Sequence, residues 1–219
     1  LVLEQKLKSI ANYYSKNYLI HDEQIINEDI HKFIQFAKEV TKIIQLADDS
    51  IINRYNPIFE GAQGVLLDMD FGFFPNVTRS NTTTKNAISI INGQYPSVLH
   101  HTEVYYITRC YLTRHGNGYM PNEIPLTLKN NENETNKSHA YQGEFRIAPL
   151  NADLLNYAFD CDNNFSSALK KNLVVTCLDQ LYEPHEYGSI IRELLDKLNV
   201  KFDKVYYSAG DSFTDIIRL

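Results

Sequence analysis

The chain has 219 residues, 43% of them hydrophobic and 22% charged, the balance of a globular protein that can bury one large core or two small ones. A formal charge of -6, with no Lys/Arg run forming a basic stripe, gives no general attraction to phosphate backbones and sets nucleic-acid binding aside. No apolar run is long enough to span a bilayer, and the scattered cysteines Cys110, Cys161 and Cys177 fit reduced thiols in a cytoplasmic protein rather than a metal-ligand spacing.

In chain order, residues 1 to 50 place Ile26, Ile30, Phe33, Phe36, Val40, Ile43 and Ile44 at helical spacing among Lys, Glu and Asp. The pattern predicts amphipathic helices near 3 to 15 and 26 to 49, with these apolar residues packed into a core. The pattern already reads as helix at Leu1, which is not a Met, so the chain is expected to be part of a longer polypeptide. Short β-branched and aromatic runs predict strands at 57 to 60, 103 to 109, 172 to 178 and 204 to 208. Between the last two, Tyr187 to Leu198 carries Ile190, Ile191, Leu194, Leu195 and Leu198 on one helical face. Strand, helix, strand at this spacing implies a right-handed crossover and a parallel sheet, with ligands at the carboxyl ends of its strands. Residues 128 to 140 are polar and without periodicity, and read as a mobile loop.

Four polar clusters fall at strand ends. In the first, Phe59-Glu60-Gly61-Ala62-Gln63-Gly64, the glycines let backbone approach a ligand and Gln63 offers both donor and acceptor. Downstream, Thr78, Ser80, Asn81, Thr82 and Thr83 suit an anion held by hydroxyls and backbone N–H groups together, or equally a set of caps and turns. The second, Thr113-Arg114-His115-Gly116-Asn117-Gly118, suits a polar ligand or a tight turn with an exposed Arg and His. In the third, Thr176-Cys177-Leu178-Asp179, the Asp can accept two N–H bonds from a guanine edge or cap a turn. The fourth, Ser208-Ala209-Gly210-Asp211, is equally consistent with a turn. The chain carries no GxxxxGK[ST] cradle, GxSxG elbow, metal-ligand spacing or conspicuous pair of catalytic carboxylates.

Taken in order, these segments resemble the adenylosuccinate synthetase family, ligases that join IMP to L-aspartate using GTP. The resemblance runs through Phe59 to Gly64, Leu67-Asp68-Met69-Asp70, Pro75-Asn76-Val77-Thr78 and Ser80-Asn81-Thr82-Thr83. Thr113 to Gly118 with Pro121 and Glu123, Leu173 to Asp179, and Ser208-Ala209-Gly210 are similar to three further family segments. It implies an α/β fold, a mostly parallel central sheet flanked by helices, of the P-loop-NTPase-like adenylosuccinate synthetase type. Residues 1–219 match its carboxyl-terminal portion, helical over 1–56 and nucleotide-binding over 57–219; the amino-terminal portion with the GDEGKGK phosphate loop lies outside the match.

Carried over position by position, the resemblance implies that Gln63 meets the purine base and takes part in catalysis, with Gly64, Thr78 and His115 on the same nucleotide. It further implies that Arg146 serves L-aspartate, and that Asp179, Ser208 and Gly210 hold GTP. GTP or ATP, Mg²⁺, IMP or dGMP, L-aspartate and a homodimeric partner are implied in the same way, with no protein metal ligand in this part. A viral branch that uses dGMP to make a 2-aminoadenine precursor is the alternative, as is a non-catalytic nucleotide-binding relative. Three departures from the family stand out: Glu144 in place of an Arg, Cys177 in place of a Lys, and Asp211-Ser212-Phe213 in place of Pro-x-Arg.

Overall fold

A computed structural model describes residues 2–18, 23–94, 96–124, 126–129, 138 and 140–219. The chain divides into two compact units, Leu1–Ile51 and Ile52–Leu219.

The first unit is a pair of helices, α1 (Val2–Tyr18) and α2 (Glu23–Ile43). Surface pairs one turn apart support both, with Lys8 Nζ 2.7 Å from Glu4 and Lys42 Nζ 2.7 Å from Glu39, each contributing a few tenths of a kcal/mol, on the order of 0.2–0.5. The expected core stripe is not realised as such. Phe33, Phe36, Ile43 and Ile44 are exposed, and the partly buried line on α2 runs through Ile26, Ile30, Ile34, Ala37 and Val40. Two helices alone cannot cover an apolar arc wide enough to include both sets, so periodicity gives the helix while burial falls on one side of it.

The second unit is built on a four-stranded sheet, in the order β1 (Glu103–Arg109), β4 (Lys170–Thr176), β5 (Lys204–Ser208), β6 (Ile216–Arg218). β1, β4 and β5 run parallel and β6 pairs antiparallel to β5. The crossover from β4 to β5 is α5 (Tyr187–Leu195), as the alternation of strand and helix predicts. Along these strands side chains alternate between two faces. Tyr106, Leu173, Val175, Val205 and Tyr207 point to one face and pack with Phe159 of α4 (Ala152–Ser166) and with Tyr187 and Ile191 of α5. Leu173 and Ile191 have no exposed surface, and burying such a side chain stabilises the fold by about 1.5–3 kcal/mol relative to leaving it in water.

After β1 the chain turns into an antiparallel pair, β2 (Tyr111–His115) and β3 (Phe145–Pro149), separate from the main sheet. Helix α3 (Lys85–Gln94) precedes β1. The strand expected at 57 to 60 does not form, these residues being irregular backbone without a ladder; Pro57 removes a donor, and Ile58 is 94% exposed. Of the polar loop at 128 to 140, residues 130–137 and 139 lie outside the described residues.

Candidate functional site

The carboxyl ends of β4 and β5 carry two of the polar clusters, and the order of the sheet sets them beside one another, with the end of β1 next to β4. β1 continues past its end, with the Cys110 N–H donating to Thr176 O at 2.9 Å and the Cys110 thiol donating to Cys177 O at 3.0 Å. Burial, and after it the neighbouring Cys177, push the Cys110 thiol up to about 12, so it is a packing group and not a nucleophile. Cys177 turns the chain with a left-handed φ of 63° into a 3-10 turn over Leu178–Gln180. That turn presents Asp179, whose Oδ2 accepts from Gln180 Nε2 at 2.7 Å. At the end of β5 the Ser208 hydroxyl donates to Gly210 O at 2.9 Å, and a side chain on Gly210 would run into the Asp215 carboxylate.

The long loop from Gly61 to Thr84 is organised from below by one carboxylate. Asp68, fully buried, accepts the N–H groups of Asp70 at 2.8 Å, Phe71 at 3.3 Å and Thr83 at 3.4 Å, that of Thr82 more closely, and Asn81 Nδ2 at 3.4 Å. Burial alone would raise its pKa, but these hydrogen bonds, led by those from the Asp70 and Thr82 backbone, outweigh it and hold the carboxyl below its ordinary range. Two backbone bonds, Thr78 N to Leu67 O at 2.8 Å and Met69 N to Ser80 O at 3.1 Å, lay the 78–80 segment along 67–69. Thr82 Oγ1 donates to Gly64 O at 2.9 Å. Gln63, Gly64 and Thr78 therefore share one loop system. Gln63 sits in it exposed and left-handed, at φ 62°, a conformation that non-glycine residues adopt when surrounding structure imposes it.

A second carboxylate closes the far end. Asp162 of α4 is 1% exposed. Its Oδ1 accepts the Thr84 N–H at 2.6 Å and the Thr84 hydroxyl at 2.8 Å, and its Oδ2 accepts the hydroxyls of Tyr106 at 2.6 Å and Ser166 at 2.8 Å. Burial, and next the Asp162 hydrogen bond, push the Tyr106 hydroxyl pKa far up. Asp162 lies at the amino end of α3, whose dipole favours a negative charge there.

The β2–β3 pair carries the remaining cluster. The rings of His115 and Phe145 stand 5.1 Å apart. Gly116 and Gly143 have positive φ and press their backbones together, leaving no room for a side chain on either. Arg114 reaches out of the hairpin to donate to Asn76 O at 2.7 Å and Asn117 O at 3.1 Å, tying this cluster to the Asp68 loop. Burial, and then the Arg146 cation, lower the Arg114 pKa.

Arg146 is consumed by its own surroundings. It donates to Gly116 O at 2.7 Å and Gly118 O at 3.0 Å, and grips Glu123 with two nitrogens, Nε at 3.0 Å. An open cavity of about 430 Å³ is lined here by Gly116, Asn117, Gly118, Gly143, Glu144 and Arg146. Glu144 is exposed at its rim.

Reasoning from residue types alone passes over Asp68 and Asp162, although an acid set in the apolar stretch Val65-Leu66-Leu67-Asp68 is itself a sign of a buried, hydrogen-bonded carboxylate. Among the described residues no three His, Cys, Asp or Glu converge as metal ligands.

Fold and site together define an α/β protein with a parallel sheet whose polar loops gather at the strand ends, the usual place for a ligand in this class. The family model described as adenylosuccinate synthetase matches residues 1–196, and the chain belongs to that family. It is 37% identical over 123 residues to adenylosuccinate synthetase of Shouchella clausii (strain KSM-K16), which covers 56% of this chain and 28% of the relative. It is 35% identical over 152 residues to that of Francisella tularensis subsp. novicida (strain U112), covering 68% and 34%. The chain thus spans about a third or less of the length of the curated relatives it matches. Among solved structures, the cyanophage S-2L succinoaminodeoxyadenylate synthetase, bound to dGMP and to dATP as an energy donor, aligns with a TM-score of 0.52 at 19% identity. The alignment covers 73% of this chain and 45% of that one, and shows a shared fold.

Proposed function

We propose that this chain carries the purine-monophosphate side of an adenylosuccinate synthetase-type ligase, which joins IMP to L-aspartate with GTP hydrolysis to give adenylosuccinate. In this chemistry the 6-oxygen of the purine takes the γ-phosphoryl group of the triphosphate, and the aspartate amine then displaces phosphate at C6. Negative charge that builds on the base during the first step is stabilised by fixed donors rather than by mobile water. The observation that carries the reading is Gln63, exposed and held at φ 62° in a loop that Asp68 knits from below. A donor and acceptor amide fixed in this way suits the edge of a 6-oxopurine. On the same reading Gly64, Thr78 and His115 contact the monophosphate nucleotide, and Asp179, Ser208 and Gly210 contact the triphosphate. Among the described residues no three His, Cys, Asp or Glu build a Mg²⁺ cage.

The test is titration of IMP, and of dGMP in a parallel arm, into the chain. Gln63→Ala is expected to weaken binding about three- to tenfold, the cost of one lost hydrogen bond, while the circular dichroism of the chain stays the same. Equal affinity in the two proteins removes Gln63 from the site, and tighter dGMP than IMP binding moves the proposal to a dGMP–aspartate ligase. Chromatographic detection of adenylosuccinate from IMP, L-aspartate and GTP tests the reaction itself, with ATP replacing GTP to identify the donor.

A second reading has its own support at Arg146. Four of its N–H bonds already go to Glu123, Gly116 and Gly118, and Glu144 adds a negative charge at the same cavity. A dicarboxylate entering there would have to displace Glu123 and approach Glu144. This favours a nucleotide-binding relative that has lost its amino-acid substrate, and IMP binding with no detectable L-aspartate binding would support it.

A further inference from the structure

Residues 209–215 join β5 to β6, whose pairing brings Ser208 opposite Ile216. A capping box closes this loop, with the Ser212 hydroxyl accepting the Thr214 N–H at 3.4 Å and Asp215 Oδ2 accepting the Ser212 N–H at 3.0 Å. The Thr214 hydroxyl donates to Ser212 Oγ at 3.0 Å, and the Ala209 N–H donates to Asp215 O at 3.2 Å, so the turn is folded back on the end of β5. On this turn stands Phe213, 85% exposed. Among the described residues it meets no other ring, whereas Tyr207 of β5 packs 6.1 Å from the Tyr187 ring.

The place of that ring in the sheet gives it a use. β4 and β5 run parallel with Val175 opposite Tyr207, so the Asp179 turn and the 209–215 loop leave adjacent strands at the same end. A carboxylate such as Asp179 can accept two N–H bonds from the edge of a guanine. It does nothing for the two flat faces of the base, which gain by stacking on an aromatic side chain. A single exposed apolar residue is ordinary on a protein surface. An aromatic ring on a hydrogen-bonded turn, one strand away from a base-edge acceptor, is placed where packing of the core has no need of it.

We propose that Phe213 stacks on the base of the triphosphate nucleotide whose guanine edge Asp179 accepts, and that Ser212 and Asp215 are positioning residues for the ring. The two contacts divide the work. Stacking is blind to which groups the base carries, so Phe213 sets affinity for purines in general, while Asp179 selects the base with two N–H groups to offer. The proposal rests on the reading above that Asp179, Ser208 and Gly210 contact the triphosphate.

The experiment measures dissociation constants for GTP and inosine triphosphate, which lacks the exocyclic amine, on the wild-type chain, Phe213→Ala, Phe213→Tyr and Asp179→Asn. Phe213→Ala is expected to weaken both nucleotides equally, by about tenfold, the loss of one base–aromatic stack, and Phe213→Tyr to restore both. Asp179→Asn is expected to weaken GTP more than inosine triphosphate. The chain contains no Trp, so Phe213→Trp installs a single indole whose fluorescence should be quenched on adding GTP, a signal that a purely structural ring would not give. Because Phe213 is already exposed, none of its variants empties a packed site, and circular dichroism should not change. Unaltered GTP affinity in Phe213→Ala with an unquenched indole in Phe213→Trp overturns the stack and leaves the Asp179 reading standing. Equal affinities in Asp179→Asn and wild type, or no GTP binding by the wild-type chain, overturn that reading and the stack with it. Quenching by IMP but not by GTP would assign Phe213 to the monophosphate and likewise overturn the proposal.

Discussion

At the residue scale, the charged groups that are easiest to notice in this sequence are not the ones that organise the site. Glu103, at the amino end of β1, lies across the sheet from the candidate loops and binds Lys204 Nζ at 2.8 Å, Asn172 Nδ2 at 2.9 Å and the Tyr105 hydroxyl at 3.1 Å. These hydrogen bonds, that from Lys204 first, hold its carboxyl down to about 2. A carboxylate with a depressed folded pKa contributes stability that is fully present above its unfolded value, near 4.3, and is lost as pH falls through the folded one. The urea midpoint of the wild-type chain is therefore expected to fall between about pH 4.5 and pH 2 more steeply than that of Glu103→Gln. The gap between the two should narrow in about 1 M salt, where the Debye length is short. Identical pH profiles for the two chains would show that the group makes no net contribution. None of this was legible in sequence, because Glu103, Asn172 and Lys204 are brought together only by the parallel register of three strands. The run around Gln63 is conspicuous in sequence because its glycines and amide are consecutive, whereas the bonds that hold its loop join residues 14 to 18 positions apart.

At the scale of elements, legibility followed locality. β1, β5 and α5 could be read from short windows, the two strands as runs of β-branched and aromatic residues and the helix from its 3.6-residue apolar face. The β2–β3 pair could not, since its strands are joined by a long polar stretch and even their nearest partners, His115 and Phe145, are thirty residues apart. Helix α4 is an intermediate case. Its start is marked by Asn151, whose side chain accepts the Leu154 N–H at 2.9 Å, an ordinary amino-terminal cap that the sequence displays openly. What the sequence does not display is the burden on that helix, which presents Phe159 to the core and Asp162 to the loop on one face. Replacing Asn151 by Ala is expected to cost about 1 kcal/mol in urea denaturation. Because Asp162 lies three turns further on, the Thr84 amide should keep its exchange protection in that variant. Loss of protection there with little change in global stability would mean that the cap, not the helix as a whole, sets the position of Asp162.

Across the whole molecule, the parallel sheet is covered unequally. α4 and α5 pack on the Leu173 face, whereas on the opposite face Ile107 is 71% exposed and Tyr105 48%. Parallel sheets are ordinarily buried on both faces, and apolar side chains on an open face next to an edge strand promote association. No periodicity argument could have found this, since Glu-Val-Tyr-Tyr-Ile-Thr-Arg reads as a strand buried on both sides and only the arrangement of the helices shows which side is bare. Ile107→Thr keeps the β-branched shape and places a hydroxyl where the side chain already meets water. It is expected to change the urea midpoint by no more than the equivalent of about 0.5 kcal/mol. Binding of a hydrophobic dye should fall, and the protein concentration at which light scattering rises should increase. A clear loss of stability with unchanged dye binding would instead place Ile107 in a packed environment and reverse this account of the sheet, whose covered face would then no longer be set by α4 and α5 alone.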